Sequence, residues 1–191
     1  MEIDKKLLFA TPLWTTMIPG YRILNRKLLM DTLYYPPGGE WELFNLDGEG
    51  ISEFKAIVLE SAESAARDWG IEFKNIECRG RQHVLDHHRN DPPHHHPLAD
   101  GLIGVYYLKV QDDCGDFMLH DSRGFTNDVW KDPHVKTNKE KKRPNFPGLC
   151  AYRIEPEEGK LILLPSYAMH SVETNLSNDI RISLVTEFRF S

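Results

Sequence analysis

The sequence predicts a mainly β fold, a sandwich or barrel with two N-terminal helices packed outside one sheet. Three observations carry the prediction. One long segment, Ile51 to Trp69, has helical periodicity; at least six short apolar runs separated by turn residues follow Gly70; and no internal repeat interrupts them. The 191 residues are read as a single domain.

Leu7 to Thr16 reads as an apolar strand broken by Pro12, and Ile23 to Leu33 as a short amphipathic helix before the turn residues Pro36, Pro37, Gly38 and Gly39. In the long helix Ile51, Phe54, Ile57, Val58, Ala62, Ala65, Ala66 and Trp69 recur in three- and four-residue steps, and Gly70 supplies the stop. The strands that follow are expected at Ile71 to Leu85, Leu102 to Val110, Asp116 to His120, Leu149 to Ile154, Lys160 to Leu164 and Ile180 to Phe190. Residues 124–148 carry Lys131, Lys136, Lys139, Lys141, Lys142 and Arg143 among few apolar residues. That composition predicts a long exposed loop, either a solvated insertion or a lid.

Composition narrows the function. A chain that is 40% hydrophobic and 27% charged fits a compact soluble domain, and a formal charge of -6 argues against one built to neutralise a phosphate backbone. Basic strands interleaved with aromatics are missing as well, so nucleic acid is not the expected partner. No run of about 18 apolar residues predicts a membrane span, and the charged start does not fit a signal peptide, so the expected location is cytoplasmic. No sequence feature specifies an oligomeric state. Cys78, Cys114 and Cys150 stand 36 residues apart without a CxxC pair and read as ordinary thiols.

Histidine is distributed unevenly: six of nine lie between His83 and His96, and His170 stands far downstream. In Asn90-Asp91-Pro92-Pro93-His94-His95-His96-Pro97 the prolines hold the backbone extended, so His94 and His96 can face one point. His170 follows the Lys160 to Leu164 strand and the turn Pro165-Ser166-Tyr167, from which it can reach the same point. Neutral imidazoles suit iron, zinc, nickel and copper, and three ligands leave coordination positions for chemistry. His170 as a hydrogen-bonded core residue, and the three-histidine run as an exposed loop, are the alternatives.

Arg181 adds a second signal. In Asp179-Ile180-Arg181-Ile182-Ser183-Leu184 the alternation puts Arg181 and Ser183 on the face opposite Ile180 and Ile182. A guanidinium on a buried face needs an anion, and its planar fork matches a carboxylate. The anion is either a protein acid or one end of a dicarboxylate ligand whose other end chelates the metal.

Several segments resemble the iron(II) and 2-oxoglutarate-dependent oxygenases, within them the small bacterial and phage branch similar to prolyl hydroxylases. They are His94-His95-His96-Pro97, Gly104-Val105-Tyr106-Tyr107-Leu108, Gly115-Asp116-Phe117 with Asp121-Ser122-Arg123, and Gly159 to Ser183 in the pattern G-x-L-x-L-x-P-S-x-x-x-H-x-V with R-I-S. Leu8 to Trp14 also resembles the start of that branch. The resemblance implies a double-stranded β-helix, or jelly roll. It implies His94 as the first metal ligand and His170 as the distal one, with His96 completing the metal set by its spacing, and Arg181, Ser183 and Tyr107 as the residues holding 2-oxoglutarate. Asp121, Arg123, Trp130 and His120 would lie on the substrate side. The wider family usually has Asp or Glu at the position of His96, and Asp100 is an alternative carboxylate ligand.

The implied cofactors are Fe(II), 2-oxoglutarate and O2. The implied reaction hydroxylates an unactivated C–H bond of an amino acid, a peptidyl residue or a small metabolite, with release of succinate and CO2. The enclosure such chemistry needs gives residues 124–148 a role as lid. The nearest alternative is a three-histidine cupin-type metal dioxygenase working without 2-oxoglutarate, since Gly159-x5-Pro165-x4-His170 also resembles a cupin motif. Such an enzyme needs neither Arg181 nor Ser183. A non-catalytic jelly-roll module binding a peptide or sugar is the third reading.

Overall fold

The computed structural model describes residues 10–35, 43–96, 101–121 and 151–191. Among them two antiparallel sheets face each other, and two helices cover the outer side of one. The strands are β1 (Trp14–Met17), β2 (Ile76–Leu85), β3 (Asp91–His94), β4 (Gly101–Lys109), β5 (Phe117–His120), β6 (Ala151–Ile154), β7 (Lys160–Pro165), β8 (His170–Val172) and β9 (Arg181–Phe190). The first sheet has the order β1-β7-β4-β9-β2 and the second β3-β8-β5-β6. From β2 onward the chain passes repeatedly between the sheets, giving the jelly-roll arrangement expected from the sequence.

Helices α1 (Tyr21–Asp31) and α2 (Glu49–Asp68) match the two predicted helices to within a few residues. Phe54, Val58, Ala62, Ala65 and Ala66 form the buried face of α2 and pack with Leu102, Tyr106, Leu184 and Phe188 of the first sheet. The helices also hold each other. Asp31, the last residue of α1, accepts a hydrogen bond from the Ile51 amide at 3.1 Å, satisfying a donor at the start of α2. A Cβ on Gly50 would lie 2.8 Å from the Leu28 amide nitrogen, so only glycine allows this approach.

A second apolar layer lies between the sheets. It joins Leu85, Ile103, Val105, Tyr107, Ile162, Leu164 and Val185 to Phe117, Leu119, Ile154 and Val172 of the opposite sheet. Alternation along β4 explains both layers, because Leu102, Tyr106 and Leu108 face the helices while Ile103, Val105 and Tyr107 face inward. Strands covered on both sides read as near-continuous apolar runs, as β4 and β7 do, whereas β9 carries Arg181, Ser183, Thr186, Glu187 and Arg189 between its apolar residues.

Of the expected N-terminal strand, residues 7–9 lie outside the described residues, and among the rest β1 begins at Trp14, beyond Pro12. Strands β3 and β8 are additions to the sequence-based elements. Pro92 and Pro93 fit in β3 because it is the edge of its sheet and its ladder with β8 is interrupted between Asp91 and His94, so their missing amides cost no ladder bond. The expected turn at residues 36–39 and the expected loop at residues 124–148 lie outside the described residues.

Candidate metal centre

The edge pair β3–β8 builds the site. His94 ends β3 and His170 begins β8, and the two are direct cross-strand partners with ring centroids 4.3 Å apart. His96 lies two residues beyond β3, where its amide donates to the Ser166 carbonyl at 2.9 Å. Its ring is parallel to that of His170 to within 4°, at 5.4 Å. One ring nitrogen from each of the three histidines lies within 4.8 Å of the others. His96 and His170 are buried and His94 is half-buried, so the cluster sits at the rim of the inter-sheet space.

The hydrogen bonds set the chemistry of these rings. Nδ1 of His94 bonds the Pro92 carbonyl at 2.8 Å, Nδ1 of His170 the Ala168 carbonyl at 2.8 Å, and Nδ1 of His96 the Glu187 carboxylate at 2.7 Å. Carbonyl and carboxylate oxygens only accept, so each Nδ1 carries a proton, and in the neutral ring the lone pair is then on Nε2. Burial pushes His170 down to about 4, and His94 and His96 reinforce the effect against the Ala168 carbonyl. The ring is therefore neutral near pH 7, as a metal ligand must be. Three imidazole nitrogen donors, each held by a hydrogen bond at Nδ1, fit a first-row divalent ion.

Arg181, the first residue of β9, is 1% exposed. Its Nη1 donates to the Gly115 carbonyl at 2.7 Å, and the guanidinium stands 5.0 Å from the centre of the Tyr107 ring. Among the described residues no carboxylate pairs with it, and neither its Nε nor the Tyr107 hydroxyl has a hydrogen-bond partner. A buried cation without an acid and an adjacent unsatisfied hydroxyl form a receptor for an anion with hydrogen-bond acceptors. Ser183, also 1% exposed, lies opposite Tyr107 in the β4–β9 ladder and shares the inward face with Arg181. Tyr107 and Phe117 belong to the same inter-sheet layer, and the Phe117 ring is 5.2 Å from that of His170.

The remaining candidates fall differently. Asp121 directly follows β5 and is half-buried, whereas Asp100, Arg123 and Trp130 lie outside the described residues. His120 does not face the cluster. Phe117 and Leu119 point inward, so His120 belongs to the outer face, where its Nε2 lies 2.7 Å from the Ser171 hydroxyl. Cys78 and Cys114 are free thiols, and burial pushes Cys78 up to about 12, which suits the expectation of unreactive cysteines. No described helix is long and apolar enough to cross a membrane.

Glu187 is the residue that sequence reasoning missed. The alternation that turns Arg181 and Ser183 inward continues through Val185 to Glu187, and that continuation would have revealed it.

Comparison with known proteins agrees with this architecture. Residues 82–187, more than half of the chain, match the family described as "Putative 2OG-Fe(II) oxygenase". No curated protein matches in sequence. A solved structure of a prolyl-4-hydroxylase from Pseudomonas putida is similar at 15% identity, covering 94% of this chain and 88% of that one with a TM-score of 0.59. SnoN, a non-heme alpha ketoglutarate dependent epimerase from nogalamycin biosynthesis, gives 13% identity, 92% and 76% coverage and a TM-score of 0.60. HygX from Streptomyces hygroscopicus, solved with iron bound, gives 11% identity, 95% and 83% coverage and a TM-score of 0.57. At these identities the likeness is one of fold. With the matched segment running from β2 to β9 through all three clustered histidines, the chain belongs to the 2OG-Fe(II) oxygenases, oxidoreductases that work with Fe(II), 2-oxoglutarate and O2.

Proposed function

We propose that the protein hydroxylates an unactivated C–H bond of an amino acid, a peptidyl residue or a small metabolite. In this reading His94, His96 and His170 hold Fe(II) through Nε2. Arg181 takes the distal carboxylate of 2-oxoglutarate, aided by Ser183 and the Tyr107 hydroxyl. When bound, iron and 2-oxoglutarate supply the oxidising chemistry: O2 and the 2-oxo acid become succinate and CO2, and the second oxygen atom enters the substrate C–H bond as hydroxyl.

The chain's own residues select and orient. The Gly115 carbonyl fixes one arm of the Arg181 guanidinium and leaves Nε without a partner among the described residues. The Tyr107 ring backs the cation while its hydroxyl has no hydrogen-bond partner among the described residues. The inter-sheet apolar layer excludes water around both groups, which strengthens a charge-assisted bond to a carboxylate. The observation carrying the reading is this uncompensated guanidinium in the same layer as the imidazole cluster. A three-histidine dioxygenase working without 2-oxoglutarate has no use for it.

The test measures succinate release from 2-oxoglutarate with Fe(II) and O2 against panels of amino acids and peptides, beside direct 2-oxoglutarate binding with Mn(II). The expected result is turnover stimulated by one substrate class and 2-oxoglutarate binding abolished in Arg181→Met. Oxygen consumption independent of 2-oxoglutarate, or 2-oxoglutarate binding retained in Arg181→Met, would sink it.

A further inference from the structure

We propose that Glu187 is a positioning residue of the metal centre. It fixes His96 as the Nδ1–H tautomer and adds the negative charge that three neutral imidazoles lack. The inference rests on the reading of His94, His96 and His170 as the metal ligands.

The three rings are not held alike. His94 and His170 each bond a backbone carbonyl two residues earlier in the chain, an arrangement that needs no other part of the fold. His96 instead reaches the carboxylate of a residue 91 positions away on β9, in the opposite sheet. The contact is 2.7 Å, and the two side chains are only 9% and 13% exposed. A largely desolvated carboxylate costs free energy unless its partner repays it, so a Glu at this inward position calls for an explanation.

The geometry supplies one. A carbonyl offers only a dipole to the Nδ1–H group, whereas a carboxylate offers a full charge. That charge raises the basicity of the opposite nitrogen and lowers the net charge of the loaded site by one. Glu187 lies opposite Ile103 in β4 and Arg79 in β2. Arg79 is exposed and, with Arg189, lines the same small surface pocket as Glu187, whose carboxylate bonds the His96 imidazole at 2.7 Å. The same bond ties the segment after β3 to β9 and fixes the ring plane of His96 against that of His170.

Mn(II) is the probe, titrated by calorimetry and electron paramagnetic resonance into the full-length protein, Glu187→Gln and Glu187→Ala. Long-range 15N NMR of the imidazoles in the metal-free proteins reports the tautomer. Gln keeps an acceptor for Nδ1–H but removes the charge, and about tenfold weaker Mn(II) binding is expected with the His96 tautomer retained. Ala removes both, and a loss of up to about 100-fold is expected together with a mixed His96 tautomer. A purely structural role would instead lower the melting temperature and leave affinity and tautomer unchanged in the folded fraction. Wild-type Mn(II) affinity in both variants would overturn the role of Glu187 alone. Failure of the wild-type protein to bind Mn(II) would overturn the metal centre together with it.

Discussion

Replacing Arg181 with methionine distinguishes a guanidinium that supports the fold from one that waits for a ligand. The substitution removes one charge-assisted bond to the Gly115 carbonyl, costing about 1.5–3 kcal/mol, and a cation–π contact with Tyr107 of about 1 kcal/mol. It also removes a fully buried ion that no described acid compensates, which returns several kcal/mol. Methionine fills much of the same space without polar atoms. The melting temperature is therefore expected to hold or to rise, by about 2–4 °C for each kcal/mol gained in a chain of this length. The ligand response moves the other way. With Mn(II) present, 2-oxoglutarate at 100 times its Kd stabilises the wild-type protein by about 2.7 kcal/mol, or roughly 5–11 °C, and leaves Arg181→Met unmoved. Scanning calorimetry with and without 2-oxoglutarate reads both effects. A loss of about 3 kcal/mol or more in Arg181→Met without ligand would refute the reasoning, because the guanidinium would then be part of the scaffold.

Three further outcomes are expected. Burial pushes the Tyr107 phenol up to about 12, against the opposing pull of Arg181, while the unfolded phenol ionises near 10. Its contribution is whole below pH 10 and lost as pH rises toward 12. Urea titrations across that window should show wild type losing up to about 2.7 kcal/mol relative to Tyr107→Phe, and parallel curves would contradict the burial. Gly115 has φ +88°, and a Cβ there would meet the Glu173 carbonyl, so Gly115→Ala should cost about 2–4 kcal/mol in thermal melts and displace the carbonyl that Arg181 uses. His170→Ala removes one of the three clustered donors and should weaken Mn(II) binding by at least about 100-fold in calorimetry, with wild-type affinity counting against the cluster as ligand set.

The sequence made some parts of this structure legible and hid others for physical reasons. Helix α2 was readable because a long helix over a sheet imposes a three- and four-residue apolar period. Strands β4 and β7 were readable as apolar runs bounded by turns, and β9 by its alternation. Strand β8 spans only His170–Val172, too short to display a period, and the prolines of β3 suggest a turn until its edge position is known. In the site, His94, His96 and His170 stood out by spacing, and the structure brings them together. Arg181 stood out as a cation on an inward face. Glu187 did not, because an acid between Thr186 and Phe188 looks like an ordinary surface charge until the inward parity of Arg181, Ser183 and Val185 is carried on to it.

Strand β9 serves as a ruler. Arg181 near its beginning and Glu187 six residues later point the same way because both fall on one parity, and at about 3.4 Å per residue they mark off roughly 20 Å of backbone. Inserting one residue between them would reverse one end while sparing the other, so a diacid grip and a tethered imidazole could not both survive. Inserting two would restore parity but lengthen the scale by roughly 7 Å, the span of a small dicarboxylate. Natural length variation in such a protein should therefore gather in the connections between strands and leave this interval untouched.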